Sequence, residues 1–167
     1  MKLTRFPSFI VLLAFASLLF VACAAHAFCA TLGGSNDKPE PWSSSQTVQP
    51  ADLAREISAD AKSAKPTIVY VGFRPLYEGA HIPGASYHGA AGKPEGLADL
   101  KAFAQSLPRD TNLVIYCGCC PLEKCPNIRA AFTALNEMRF THLRVLILPN
   151  DFNTDWITKG YPVEKAQ

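Results

Sequence analysis

Four cysteines lie within nine residues in the stretch VIYCGCCPLEKCPNIRAA, residues 114–131: Cys117, Cys119, Cys120 and Cys125. In its thiolate form a cysteine is a nucleophile and a ligand for soft metals. Cys117 and Cys120 also have the C-x-x-C spacing of thiol–disulfide exchange, in which one thiol attacks and the other resolves. The stretch therefore offers nucleophilic catalysis, redox exchange, metal binding or ordinary disulfide pairing.

Cys117 ends an apolar run, NLVIYC at residues 112–117, which has the composition of a buried strand. A loop follows, and Asn127 is predicted to cap the helix IRAAFTALNEMRF. The unpaired N–H groups at a helix N-terminus lower the pKa of a nearby thiol, and loop amides can surround a sulfur or an anion. Cys117 is thus the candidate nucleophile, with the candidate substrate contacts Gly118, Lys124 and Arg129. For the two cations, a solvated surface position is an equal alternative.

Strand and helix patterns alternate along the rest of the chain. Helices are predicted at residues 50–60, 96–107 and 151–160, and the other strands at residues 66–73 and 143–148. This alternation indicates an α/β fold, with a parallel sheet flanked by helices in a single domain. Such sheets bind ligands beyond the carboxyl ends of their strands, which is where Cys117 stands.

The N-terminus has the features of an export signal. Lys2 and Arg5 precede an apolar run at residues 9–25, and no acidic residue occurs before Asp37. This pattern predicts a secretory signal peptide at residues 1–27, or a lipoprotein leader that ends before Cys23 and leaves a lipid anchor there. Residues 28–47 are predicted to be a flexible linker, and residues 48–164 the domain. We expect the domain in the bacterial periplasm or at the cell surface.

Charge and cysteine placement narrow the range of partners. The formal net charge is +2, and Lys2 and Arg5 of the predicted leader account for it, so we expect no nucleic-acid partner. We also expect a monomer, with membrane contact only through an anchor at Cys23. Export makes disulfides the default for cysteines, but no cysteine lies between Cys29 and Cys117. Bridges within the loop, such as Cys117–Cys120 or Cys120–Cys125, would close small rings that remove little chain entropy.

Other uses of cysteine match the pattern less well. Cys119 and Cys120 are adjacent, whereas tetrahedral metal sites use spaced pairs, and no histidine or acid follows at ligand spacing. Pro121 stands where covalent haem attachment requires histidine. A phosphatase loop would carry an arginine six residues after its cysteine, where this chain has Glu123. The pattern therefore predicts neither a metal nor a cofactor.

Three motifs together resemble the rhodanese (sulfurtransferase) family. The stretch IVYVGFRPLYEGAHIPGAS, residues 68–86, contains Tyr77 and the HIPGA sequence that begins at His81. The strand that ends in Cys117 resembles the strand carrying the catalytic cysteine of that family. The segment DWITKGYPVE, with Trp156 followed by Gly160-Tyr161-Pro162, resembles its C-terminal signature. The resemblance extends from about Val48 to Glu164, and it implies a rhodanese-like fold in which His81 closes a turn and Trp156 is core.

The resemblance also implies a chemistry. Cys117 would take a sulfane sulfur from a small donor such as thiosulfate, hold it as a persulfide among loop amides, and pass it to a thiophilic acceptor without a cofactor. The family usually has Asp and Arg where this chain has Tyr70 and Gly72, and Arg74 is a candidate substitute. The loop is also longer, and its three further cysteines are candidate resolving thiols: Cys120, Cys119 and Cys125. The alternatives are a thiol–disulfide redox protein that uses the Cys117/Cys120 pair, and a non-catalytic module that binds a metal or a partner.

Overall fold

The computed structural model describes residues 39–60 and 65–165. The predicted signal peptide, Cys23, Cys29 and the first part of the predicted linker lie outside these residues. Five strands form the sheet: β1 (Thr47–Val48), β2 (Thr67–Tyr70), β3 (Ser86–Tyr87), β4 (Leu113–Tyr116) and β5 (Leu143–Leu146). Four α-helices accompany them: α1 (Pro50–Ser58), α2 (Arg74–Gly79), α3 (Pro94–Gln105) and α4 (Pro126–Glu137).

All strand pairs are parallel, in the order β1-β5-β4-β2-β3. β4 therefore lies in the middle, where Ile115 pairs with Val69 on one side and Val145 on the other. Every residue of β4 is buried, because helices cover both faces of the sheet. The α/β fold class, the parallel sheet flanked by helices and the single domain are confirmed for the described residues.

Each face of the sheet has its own core. On one face, α3 and α4 contribute Leu100, Phe132 and Leu135, which pack with Ile115. On the other face, Leu53 of α1 and Trp156 pack with Val114. A 3₁₀ turn, Leu122–Lys124, lies between β4 and α4, and a π-helical turn, Asn153–Ile157, carries Trp156. The loop after β4 packs against the first of these cores through its cysteines and Leu122.

The predicted turn around His81 is confirmed. Its Nδ1 lies 2.7 Å from the carbonyl oxygen of Tyr77, and its Nε2 lies 3.1 Å from Oε1 of Glu164. The Tyr77 hydroxyl donates to the carbonyl of Ala85 over 2.7 Å. His81 is buried and ties the HIPGA turn to the C-terminal segment, so its role is structural.

Within the predicted linker, residues 39–47 make packing contacts. The Trp42 ring meets the Phe132 ring edge-on, with centroids 5.5 Å apart, and Thr47 begins β1. The short elements α2 and β3 were not predicted, because they contain too few residues to show the periodic spacing of apolar side chains that marks a helix or a strand. Over residues 39–60 and 65–165, no helix combines the length and the apolar character that crossing a bilayer requires.

Candidate functional site

Cys117 directly follows β4 and is 3% exposed. Gly118 then turns the chain with a φ of +69°, and its carbonyl accepts a hydrogen bond from the N–H of Phe152 over 3.0 Å. A Cβ at position 118 would lie 2.6 Å from Cβ of Phe152, so only glycine fits here. This turn directs the following cysteines back toward Cys117.

The loop brings its sulfurs together around Cys119. The Sγ of Cys119 lies 3.1 Å from that of Cys117, 3.4 Å from that of Cys120 and 4.0 Å from that of Cys125. The four cysteines are free thiols in this structure. The sulfur in hydrogen-bond contact with Cys117 is thus that of Cys119, whereas the C-x-x-C spacing had pointed first to Cys120.

Asn127 faces these sulfurs rather than capping the helix, so the capping prediction was wrong. Pro126 is the first residue of α4 and Cys125 is its N-cap, which places Asn127 at the second helical position, two residues after the cap. Its side-chain Nδ2 lies 3.5 Å from Sγ of Cys117 and 3.8 Å from Sγ of Cys119. Its Oδ1 accepts a 2.9 Å hydrogen bond from the N–H of Gly92, which fixes the amide orientation. Asn127 is buried and was not predicted to be a site residue.

The surroundings of Cys117 favour its protonated form. The hydrogen bond to Cys119, with a further contribution from burial, raises the pKa of Cys117 to about 12, although Cys125 acts in the opposite direction. The neighbouring Cys117 thiol raises the pKa of Cys125 to about 12 as well. The lowering of the pKa expected from a helix N-terminus does not prevail at Cys117, nor at Cys125, which is the N-cap of α4.

We therefore expect the reactivity of Cys117 to depend steeply on pH. Only the thiolate reacts, so the rate of modification by iodoacetamide should rise about tenfold per pH unit between about pH 7 and pH 10. Peptide mapping by mass spectrometry would follow Cys117 separately from its neighbours. Cys119→Ala removes the main cause of the raised pKa and should accelerate the reaction at neutral pH. A rate that is flat over this range would show that Cys117 is already ionised.

The predicted cationic contacts are engaged elsewhere. Arg129 pairs with Glu40 over 2.7 Å and donates to the carbonyl of Glu123 over 2.8 Å. Lys124 is largely exposed and lies 3.8 Å from Glu123. Arg74, the candidate substitute, lies over the Tyr87 ring at 4.2 Å from its centroid. The spacing of these cations along the chain does not indicate their acidic and aromatic partners.

Tyr70 and Gly72 occupy the positions where the family usually has Asp and Arg. A Cβ at Gly72 would lie 2.6 Å from the Tyr70 hydroxyl and 2.8 Å from Sγ of Cys117, so both groups close over this glycine. The Tyr70 hydroxyl is buried and has no hydrogen-bond partner among the described residues. Burial, with the neighbouring Cys117, raises the pKa of Tyr70, which keeps the hydroxyl protonated as a donor. Tyr70 therefore belongs to the site, whereas the sequence indicated only that it differs from the residue usual at this position in the family.

A cleft of about 350 Å³ lies beside the sulfurs. Its walls are mainly apolar, and they come from Tyr70, α2 and the turn that carries Phe152. Gly118 and Cys119 also line it, and Asp151 is the charged residue in its wall. Leu76, half exposed on α2, forms part of the rim. The cleft can therefore hold a small apolar group next to the cysteine cluster.

The parallel sheet, with a cysteine at the carboxyl end of its central strand, has a rhodanese-like fold. The chain is similar to the solution structure of the rhodanese-like domain of the Alr3790 protein from Anabaena sp., with 20% identity, a TM-score of 0.52 and coverage of 72% of this chain and 80% of that one. It is also similar to the crystal structure of the BH2092 protein from Bacillus halodurans, with 20% identity, a TM-score of 0.55 and coverage of 72% and 77%.

A crystal structure of the Alr3790 protein is likewise similar, with 18% identity, a TM-score of 0.55 and coverage of 71% of this chain and 82% of that one. No family model matches the chain, and no curated protein matches it in sequence. Likeness at these identities concerns the fold. The comparisons therefore show a rhodanese-like fold.

Proposed function

We propose that this protein is a sulfurtransferase that carries sulfane sulfur as a persulfide on Cys117. The observation that supports this most strongly is the position of Cys117, at the carboxyl end of the central strand and 3.1 Å from a second thiol. We propose further that the protein acts as a monomer after export, either free in the periplasm or anchored at Cys23. The leader-like sequence at residues 1–27 supports that location.

Loading is a displacement at sulfur. Cys117 loses its proton, and its thiolate attacks the outer sulfur of a donor persulfide, R–S–SH. A new S–S bond forms on Cys117 as the S–S bond of the donor breaks, and R–S⁻ leaves and takes up a proton. The amide of Asn127 donates to the Cys117 sulfur and stabilises the negative charge that develops during loading and release.

The cleft favours an organic persulfide over thiosulfate as the donor. Its walls are mainly apolar, and they contain Asp151, which repels a doubly negative ligand. The nearby cations are paired with acids, Arg129 with Glu40 and Lys124 with Glu123. A donor with an apolar R group would bury that group in the cleft and bring its outer sulfur to the wall formed by Gly118 and Cys119, next to Cys117.

Cys119 is suited to unload the persulfide. Its sulfur lies within reach of Cys117, and as a cleft-lining, partly exposed residue it can also meet an acceptor. The Cys119 thiolate attacks the outer sulfur, which moves from Cys117 to Cys119 while Cys117 becomes a thiolate. An external thiol then takes the sulfur from Cys119 by the same displacement. Cys117 thus stores the sulfur, and Cys119 delivers it.

The test compares donors and neighbouring cysteines in the reduced protein. We expect an alkyl persulfide to load sulfur faster than thiosulfate at equal concentration. Cys119→Ser should still load but should deliver sulfur to a small thiol at least about tenfold more slowly, because an intramolecular step is lost. Cys120→Ser is the matched control and should deliver at the wild-type rate.

Two outcomes would contradict this account. Equal delivery by Cys119→Ser and Cys120→Ser would remove Cys119 from the pathway. Formation of a Cys117–Cys119 disulfide without any gain of sulfur would instead support the thiol–disulfide alternative, which the same short contact between these two sulfurs also favours.

A further inference from the structure

We propose that Cys117, Cys119 and Cys125 form a binding site for Cu(I). Their Sγ atoms all lie within 4.8 Å of one another, and Cys117 and Cys125 are buried. This inference goes beyond sulfur transfer, because it needs neither a donor nor an acceptor. It also differs from the expectation drawn from the sequence, where the adjacency of Cys119 and Cys120 argued against a metal.

The three sulfurs have the spacing of a trigonal thiolate site. A metal–thiolate bond is about 2.3 Å long, so three sulfurs in a plane around one ion lie about 4.0 Å apart. Cys119 and Cys125 are already separated by 4.0 Å, and Cys117 and Cys119 by 3.1 Å. The shorter separation would have to open by less than about 1 Å, which a change in one side-chain torsion can supply.

The composition of the site favours Cu(I) over zinc. Soft thiolates select Cu(I), whereas structural zinc sites are almost always four-coordinate. Among the described residues, the cluster contains no histidine or carboxylate as a fourth ligand. Cys120 contacts Cys119 but lies outside the group of three, so it does not complete a tetrahedron around the same point.

Asn127 supports the ligands from behind. Its Nδ2 reaches the sulfurs of Cys117 and Cys119, while the N–H of Gly92 holds its Oδ1. Such contacts orient ligands and stabilise their charge once their protons have been released to solvent on metal binding. Because Cu(I) would occupy the sulfur of Cys117, the copper-bound protein could not be loaded with a persulfide. Copper would therefore inhibit sulfur transfer by direct competition.

The experiment is an anaerobic titration of the reduced protein with Cu(I) against a colorimetric Cu(I) chelator, in a Cys23→Ser, Cys29→Ser background. We expect one Cu(I) per chain. Cys119→Ser should weaken the affinity by at least about 100-fold, since even the loss of a supporting contact costs 10–100-fold. Cys120→Ser, the matched control, should bind nearly as tightly as the parent. Asn127→Ala should weaken binding about 10–100-fold while the circular dichroism spectrum stays unchanged.

Three results would overturn the proposal. Equal losses in Cys119→Ser and Cys120→Ser would show unspecific thiol binding. Tight Zn(II) binding that is lost in Cys120→Ser would show a four-thiolate zinc site. Binding of several copper ions without saturation at one would exclude a defined trigonal site. None of these results bears on sulfur loading, so the copper site can fail while the proposed transferase activity stands.

Discussion

Replacing Cys117 by alanine is expected to abolish sulfur transfer from every donor, with a loss of at least about a thousandfold in rate. Cys117 is the thiol at the carboxyl end of β4, and Asn127 and Cys119 both contact its sulfur. None of the remaining thiols lies at the end of the central strand: Cys119 lines the cleft, Cys120 is partly exposed and Cys125 is buried next to α4. The measurement is the steady-state rate of sulfur delivery from an alkyl persulfide to a small thiol.

Cys120→Ala provides the control for this prediction. Cys120 is a partly exposed thiol of the same loop, and its removal leaves the contacts of Cys117 intact. It should retain most of the activity. If Cys117→Ala retained full activity, another cysteine would carry the sulfur and the proposed function would have to be reassigned to it.

Replacing Trp156 by alanine is expected to reduce the free energy of unfolding by about 3–5 kcal/mol. Trp156 is fully buried, its ring stacks on that of Phe152, and its Nε1–H donates to the carbonyl of Pro162 over 2.8 Å. The substitution leaves a large cavity and removes the partner of a carbonyl group. Urea unfolding monitored by circular dichroism would measure the loss.

Trp42→Ala is the matched control for Trp156. Trp42 is only partly buried and packs edge-on against Phe132 at the surface of the other core. Its removal should reduce the free energy of unfolding by less than half as much, because less apolar surface is lost and the site can fill with water. An equal reduction in the free energy of unfolding in the two variants would contradict the prediction that the buried Trp156 stabilises the fold more than the partly buried Trp42.

The fold could be predicted from the sequence because its signals are local. Continuous apolar runs marked β2, β4 and β5, and an amphipathic pattern marked α3 within two residues of its observed ends. The HIPGA turn was predicted with its histidine in a structural role, which the contacts of His81 confirm. Elements without a period, such as α2, could not be found in this way.

The site was predicted less completely because it depends on loop geometry. Cys119 contacts Cys117 because Gly118 adopts a positive φ, and Cys125 returns to them through the 3₁₀ turn Leu122–Lys124. Sequence spacing does not determine the direction of a side chain in such a loop. Asn127 was predicted to cap α4 because the helix was expected to begin after it, whereas α4 begins at Pro126. Arg129 was predicted to contact an anionic substrate. Its observed partner is Glu40, which could not be anticipated because it lies far away in the sequence.

The most direct test of the central claim is intact mass spectrometry of the reduced protein after incubation with an alkyl persulfide, with Cys117→Ser treated in parallel. We expect a gain of one sulfur atom in the wild-type protein, located on the peptide that contains Cys117, and no stable gain in Cys117→Ser. An equal gain in both proteins, or no gain in either, would contradict it.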